Sequence, residues 1–143
     1  MKIYAHRGAS HDYPEMTMSA YEEAVKQGAD GFECDVRLTK DGISVLWHDA
    51  DLKRCADSEA IVAESKYSKL KKIYPQILTL NEFIDFGISE KKSLLLETKH
   101  PVPSRSAVED EIVEKIRCEE KRIKKAGISI NVMSFSWFAI EHI

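Results

Sequence analysis

The sequence predicts an α/β fold in which strands and helices alternate to build a parallel sheet or barrel. Three observations predict it. Short apolar runs of strand length alternate with amphipathic stretches of helix length. Glycines and other turn residues stand between them. The polar residues able to do chemistry gather where the apolar runs end, and in parallel sheets and barrels that edge binds ligands.

Residues 2–6 read as a short strand running into His6-Arg7-Gly8. Residues 19–27 read as a helix, with Ser19 and Glu22 spaced as a capping box and Gly28 as the stop. Residues 32–38 alternate with period two, as a strand does. Lys40-Asp41-Gly42 is a turn, and residues 43–47 form a further strand ending at His48-Asp49. Residues 51–75 carry the weakest pattern, with one helix over residues 66–73. Residues 79–86 predict a helix capped by Thr79 and stopped by Gly87. Residues 93–97 are an apolar run of buried-strand length. Residues 107–126 predict a long helix closed by Gly127, residues 130–135 a strand, and residues 137–143 the opening of one more helix.

A length of 143 residues suits one domain, 1–143, with one modest core. Apolar residues make up 43% and charged residues 31%, an ordinary globular mix. A net charge of −3 gives no electrostatic reason to expect nucleic acid or an anionic membrane as partner. Cys34, Cys55 and Cys118 are odd in number and form no C-x-x-C pair, which favours a reducing compartment. No signal peptide or membrane span is visible, so a cytoplasmic location is expected.

Glu33 and Asp35 lie two apart in a strand and therefore share a face, with Phe32, Cys34 and Val36 on the other. Two exposed acids on an edge strand would be the bland alternative. Inside a sheet the pair repels and is costly to desolvate, and a divalent cation relieves both problems. All-oxygen ligands favour Mg²⁺ or Ca²⁺. Glu97 ends the apolar run Ser93-Leu94-Leu95-Leu96 and is placed to be a third ligand. Lys99, two residues on, shares its face; it either forms a private ion pair with Glu97 or faces an anionic ligand. His6 and His48 each end a strand, and their ordinary pKa suits a general base and a general acid. Arg7 can grip a phosphate bidentately, and Gly8 permits a sharp turn or a close approach. Together these residues describe phosphoryl chemistry: a metal, cations for the charge, and two histidines for protons.

In order along the chain stand His6-Arg7-Gly8, Pro14-Glu15, Thr17, and Gly28-Ala29-Asp30-Gly31-Phe32-Glu33-Cys34-Asp35-Val36. Leu38-Thr39-Lys40-Asp41-Gly42, Trp47-His48-Asp49, Leu52-x-Arg54 and Leu78-Thr79-Leu80 continue the series. Leu96-Glu97-Thr98-Lys99-His100-Pro101 and Val132-Met133-Ser134-Phe135-Ser136 complete it. This ordered set resembles the glycerophosphodiester phosphodiesterases over nearly the whole chain, and its last two motifs resemble the actinobacterial-type branch. The resemblance implies a partial (β/α) barrel of TIM type, with about five of eight strands. It implies hydrolysis of a small-molecule glycerophosphodiester to glycerol 3-phosphate and an alcohol. His6 and His48 would be the acid–base pair, and Glu33, Asp35 and Glu97 would hold a divalent cation, Mg²⁺ or Ca²⁺. Arg7 and Lys99 would bind the phosphate, and Glu15 would line the site.

Three departures from the family pattern stand out. Met16 replaces a polar residue beside the site. Residues 55–76 are short and lack the family's glycine-rich and aromatic pattern. An eight-stranded barrel takes about 250 residues, so the last three strands are not expected here, and open strand edges invite self-association or a partner chain. A catalytically inactive remnant or interaction module of the same family is the alternative. A related barrel of the phosphoinositide phospholipase or sphingomyelinase-like kind shares the layout. His11, His100 and His142 read as loop or surface residues.

Overall fold

A computed structural model describes residues 1–142; residue 143, the end of the last predicted helix, lies outside them. In chain order the elements are β1 (Tyr4–His6), α1 (Met18–Lys26), β2 (Gly31–Leu38), β3 (Ser44–Leu46), β4 (Asp51–Leu52), α2 (Lys53–Ala56), β5 (Ser58–Ile61), α3 (Tyr67–Ile73), α4 (Leu80–Glu90), β6 (Ser93–Thr98), α5 (Ala107–Ala126), β7 (Ile130–Ser134) and α6 (Trp137–His142). A single 3₁₀ turn, Val62–Glu64, precedes α3. No described helix is long and apolar enough to cross a membrane.

The sheet has five strands, and β1, β2, β6 and β7 lie side by side and parallel. This is the open, partial barrel expected. The expectation of uniformly parallel strands fails at β3, which pairs antiparallel with the end of β2 through Val36–Leu46, Arg37–Val45 and Leu38–Ser44. The reason is the connection: only the short turn around Gly42 joins the two strands, whereas a parallel return needs a crossover of a dozen residues or more.

Alternation along β2 gives the sheet its two faces. Phe32, Cys34 and Val36 enter the main core with Leu94 and Leu96 of β6, Tyr21 of α1, and Phe83 and Ile84 of α4. Tyr21 and Phe83 pack with ring centroids 4.7 Å apart, and Phe32 and Phe86 stack at 5.6 Å. Glu33 and Asp35 necessarily point the other way. A second cluster, Val45, Trp47, Leu52, Val62, Leu70 and Ile77, sits beneath residues 51–75. That stretch is therefore better built than its pattern suggested: β4 and β5 form a small antiparallel hairpin around α2. β3 serves both clusters, Leu46 in the first and Val45 in the second.

Two local readings need correction. The cap of α1 is Thr17, not Ser19: Thr17 is extended (φ −98°, ψ 159°), and its hydroxyl accepts from the Ala20 N–H at 3.3 Å. Gly87 does not stop α4, which runs on to Glu90 and ends at left-handed Lys91. Gly87 instead admits Leu94: a Cβ there would stand 2.7 Å from Leu94 Cδ2. The box at Thr79 is present, with Glu82 N–H donating to Thr79 Oγ1 and Thr79 N–H to Glu82 Oε2. Helix α5 carries a charged outer face, with Lys115–Glu111 and Arg122–Glu119 pairs one turn apart.

Candidate active site

The parallel register of β2 and β6 sets Asp35 opposite Glu97 and Glu33 opposite Leu95. One oxygen from each of Glu33, Asp35 and Glu97 comes within 4.8 Å of the others, and all three side chains are buried. Two cations reach into the cluster. Arg7 Nε lies 2.9 Å from Asp35 Oδ2, and Lys99 Nζ lies 2.8 Å from Asp35 Oδ1 while also pairing with Glu97. The Lys99–Glu97 pair is thus not private. Both contacts to Asp35 have the distance but not the direction of hydrogen bonds, so its oxygens meet charge without a directed donor. Glu33 Oε1, although buried, has no hydrogen-bond partner among the described residues. Burial, together with the Asp35 charge, pushes the Glu33 carboxyl up to about 7.

β1 delivers the next residues. After His6 the chain turns through left-handed Arg7 (φ 61°) and Gly8 (φ 78°). The turn aims the Arg7 N–H at Glu33 Oε2, 3.1 Å away, and folds the guanidinium inward, where Nη1 also reaches Glu15 at 3.3 Å. Gly8 serves the close approach of α1 rather than of a ligand: a Cβ there would stand 2.8 Å from the Ala20 backbone. His6 stays 67% exposed, with Nε2 3.8 Å from Glu33 Oε2, beyond hydrogen-bond reach. Met16 restores part of what its substitution for a polar residue removes. It is buried, and its sulfur, a weak acceptor, takes the Asp35 N–H at 3.4 Å.

His48 follows β3. Arg37 of β2 holds its carbonyl with two donors at 2.9 and 2.8 Å. Its ring Nδ1 lies 2.7 Å from Asp49 Oδ1. Burial of Asp49 raises its carboxyl, but hydrogen bonds with His48 and Arg54 outweigh that and hold it below the ordinary value. An ionised carboxylate only accepts, so Nδ1 is the donor in this contact, which leaves Nε2 as the ring nitrogen turned away from Asp49. Arg54 joins Asp49 to Glu15, and its hydrogen bond to Glu15 holds that carboxyl low as well.

A cavity of about 940 Å³ opens along the β6–β7 side, lined among others by His48, Asp49, Glu97, Lys99, Phe135 and Phe138. His6 and Arg7 are not on its wall; His6 borders a smaller hollow beside β1. The fold thus brings Glu33, Asp35, Glu97, Arg7, Lys99 and Glu15 together, sets His48 beside them, and leaves His6 at the open edge. Arg37, Asp49 and Arg54 join the site without having been singled out. Asp49 and Arg54 stood in quoted motifs, whereas nothing in sequence marked Arg37. His100, read as bland, pairs at 2.7 Å with fully buried Glu109.

The cluster fits a hard divalent cation. Its donors are oxygens from three carboxylates on two adjacent strands, and Glu33 Oε1 and both Asp35 oxygens lack directed partners. Fold and donor set together define a partial (β/α) barrel with a carboxylate cluster on the face of β2 and β6 opposite the main core.

Comparison with known proteins names the family. The profile described as Glycerophosphoryl diester phosphodiesterase family matches residues 6–143, and the chain belongs to that family. A Mycobacterium tuberculosis protein named "Probable glycerophosphodiester phosphodiesterase 1" is 35% identical over 129 residues, covering 78% of this chain and 47% of its own. The glycerophosphodiester phosphodiesterase of Bacillus altitudinis is 34% identical over 128 residues, covering 80% and 52%. In structure the chain is similar to the Thermotoga maritima glycerophosphodiester phosphodiesterase (TM-score 0.82, 30% identity, 99% of this chain and 57% of that one). It is also similar to an Oleispira antarctica phosphodiesterase solved with its product sn-glycerol-3-phosphate (TM-score 0.82, 28% identity, 99% and 60%). The chain spans about half the length of the curated relatives it matches.

Proposed function

We propose that this chain carries the metal and acid–base site for hydrolysis of glycerophosphodiesters to glycerol 3-phosphate and an alcohol. The observation that carries the reading is the buried Glu33–Asp35–Glu97 cluster with Arg7 and Lys99 against it, in a chain of this family. The product bound by the Oleispira relative supports glycerol 3-phosphate as the fragment recognised.

In this reading Glu33, Asp35 and Glu97 hold Mg²⁺ or Ca²⁺, which when bound polarises a phosphoryl oxygen. Arg7 and Lys99 bind the anionic phosphodiester, and Glu15 orients Arg7. His48 presents Nε2 as a proton acceptor, and exposed His6 at the end of β1 is its acid partner. Two clusters sharing β3 support one domain over the chain. The test is release of glycerol 3-phosphate from glycerophosphocholine with and without EDTA. Release abolished by EDTA and restored by Mg²⁺ or Ca²⁺ supports the reading, and no metal-dependent release overturns it.

The open sheet favours one second reading, a non-catalytic module with the same site residues. Phe135, Trp137 and Phe138 stand exposed beside edge strand β7, which supports cover by further polypeptide, a second copy or another chain. Metal binding without turnover distinguishes this reading from the first.

A further inference from the structure

Arg54 joins the loop after β1 to the loop after β3. Its Nη1 and Nη2 donate to the two oxygens of Glu15 at 3.0 and 2.6 Å, and its Nε donates to Asp49 Oδ2 at 2.7 Å. Asp49 turns its other oxygen to His48 Nδ1 at 2.7 Å. Glu15 in turn meets Arg7, and Arg7 meets Asp35. A line of alternating charge therefore runs from His48 to the carboxylate cluster through Asp49, Arg54, Glu15 and Arg7. Glu15 lies in the loop after β1, and Asp49 in the loop after β3.

We infer that Arg54 is a positioning residue for His48. By fixing Asp49 it holds the imidazole as the Nδ1-protonated tautomer with Nε2 free. By gripping Glu15 it keeps that imidazole in register with the Arg7 loop. Arg54 is anchored from below, because Leu52 just before it is fully buried in the second cluster. The side chain itself is 48% exposed. Surface ion pairs add little to stability, so stability is not its main effect. A guanidinium fork on two carboxylates constrains direction more than it adds energy, and lysine cannot reproduce it.

The inference rests on the proposed acid–base role of His48, and its test separates the two. The ring-nitrogen NMR shifts of His48 in ¹⁵N-histidine-labelled chain report the tautomer without turnover. The native chain is expected to show protonated Nδ1, Arg54→Gln a mixture of tautomers, and Arg54→Lys an intermediate state. Lys53→Gln, on the same short helix but paired away from the site with Asp57 and Glu59, is expected to match the native chain. In turnover, Arg54→Gln is expected to lower kcat by about 10- to 100-fold, as loss of an outer partner does. KM and the unfolding midpoint are expected to move little, with partial rescue in Arg54→Lys. Native ring-nitrogen shifts in Arg54→Gln, or a loss confined to KM or to folding, overturn the inference. A native chain with no turnover counts against the phosphodiesterase reading, and the ring-nitrogen shifts then decide the role of Arg54 alone.

Discussion

Asp35 and Glu97 stand directly opposite each other across the β2–β6 pairing, and their carboxylates approach on the same side of the sheet. A parallel pair places directly opposed side chains on one face, so strand register alone adds a third acid to the Glu33–Asp35 pair. Such a site exists in the folded chain and not in the unfolded one, so a cation held there would favour folding. Mg²⁺ or Ca²⁺ at a hundredfold excess over its Kd should then stabilise the chain by about 2.7 kcal/mol. Asp35→Asn and Glu97→Gln should each remove most of that gain. Differential scanning fluorimetry with titrated metal after EDTA treatment checks this, and an undiminished metal response in both variants rejects the cluster as the site.

Glu33 links the site to pH. Its folded carboxyl titrates at about 7, above an ordinary value of 4.5, so between these values the folded chain holds a proton that the unfolded chain releases. Stability of the metal-free chain should therefore fall as pH rises from about 4.5 to about 7. The fall should be about 1–2 kcal/mol, discounted for partial solvent screening. Glu15 and Asp49 act in the opposite sense: their carboxyls are held low, and their contribution is lost as pH falls below the ordinary range. Glu33→Gln should flatten the upper limb and leave the acid limb alone. Urea midpoints across pH in chelator-treated buffer give the comparison, and an unchanged upper limb would show that Glu33 titrates normally.

The reading of Glu33 and Asp35 needed only period two and a buried strand, and the structure places both as that pattern requires. The link between Glu15 and Arg54 had no such signal, because no periodicity joins positions so far apart; only the packed hairpin β4–β5 brings them together. Tyr21 is a similar case. Its hydroxyl donates to the Glu33 carbonyl at 3.1 Å from within the core, a contact invisible in an amphipathic helix pattern. The antiparallel pairing of β3 follows from the shortness of the β2–β3 connection, which the expectation of a parallel sheet did not take into account. The continuation of α4 through Gly87 was not, since it depends on where Leu94 packs.

Gly8 is the hinge between β1 and the site. A side chain there would meet both a left-handed backbone (φ 78°) and the backbone of Ala20 at 2.8 Å, which cannot give way as a flexible side chain does. Left-handed strain costs about 1–3 kcal/mol by itself. Gly8→Ala should therefore lower stability by about 2 kcal/mol or more in urea unfolding. It should also weaken metal binding, because the Arg7 N–H that meets Glu33 Oε2 would move with the turn. A variant with native stability and native metal affinity would show that α1 can yield.

The β7 edge gives the last expectation. Phe135, Trp137 and Phe138 are 93%, 71% and 83% exposed, next to an edge strand, Ile130–Ser134, that contains no lysine, proline or other charge to discourage pairing. The opposite edge, β1, is short and exposes Ile3 just before it. Apolar rings grouped at an unpaired edge favour association over a solvated monomer. Sedimentation velocity of this chain at micromolar concentration should show species heavier than the monomer. Phe135→Ser, Trp137→Ser and Phe138→Ser together should shift the distribution to monomer, whereas serines at exposed positions of α5, such as Glu120 and Lys121, should not. Phe135 and Phe138 sit on the cavity wall with Lys99 and His48. If the edge is what associates, the triple variant should also open the His48 ring to solvent, raising the exchange rate of its ring proton in the same NMR experiment. A chain that sediments as a monomer before any substitution rejects self-association and leaves cover by a different polypeptide as the surviving reading.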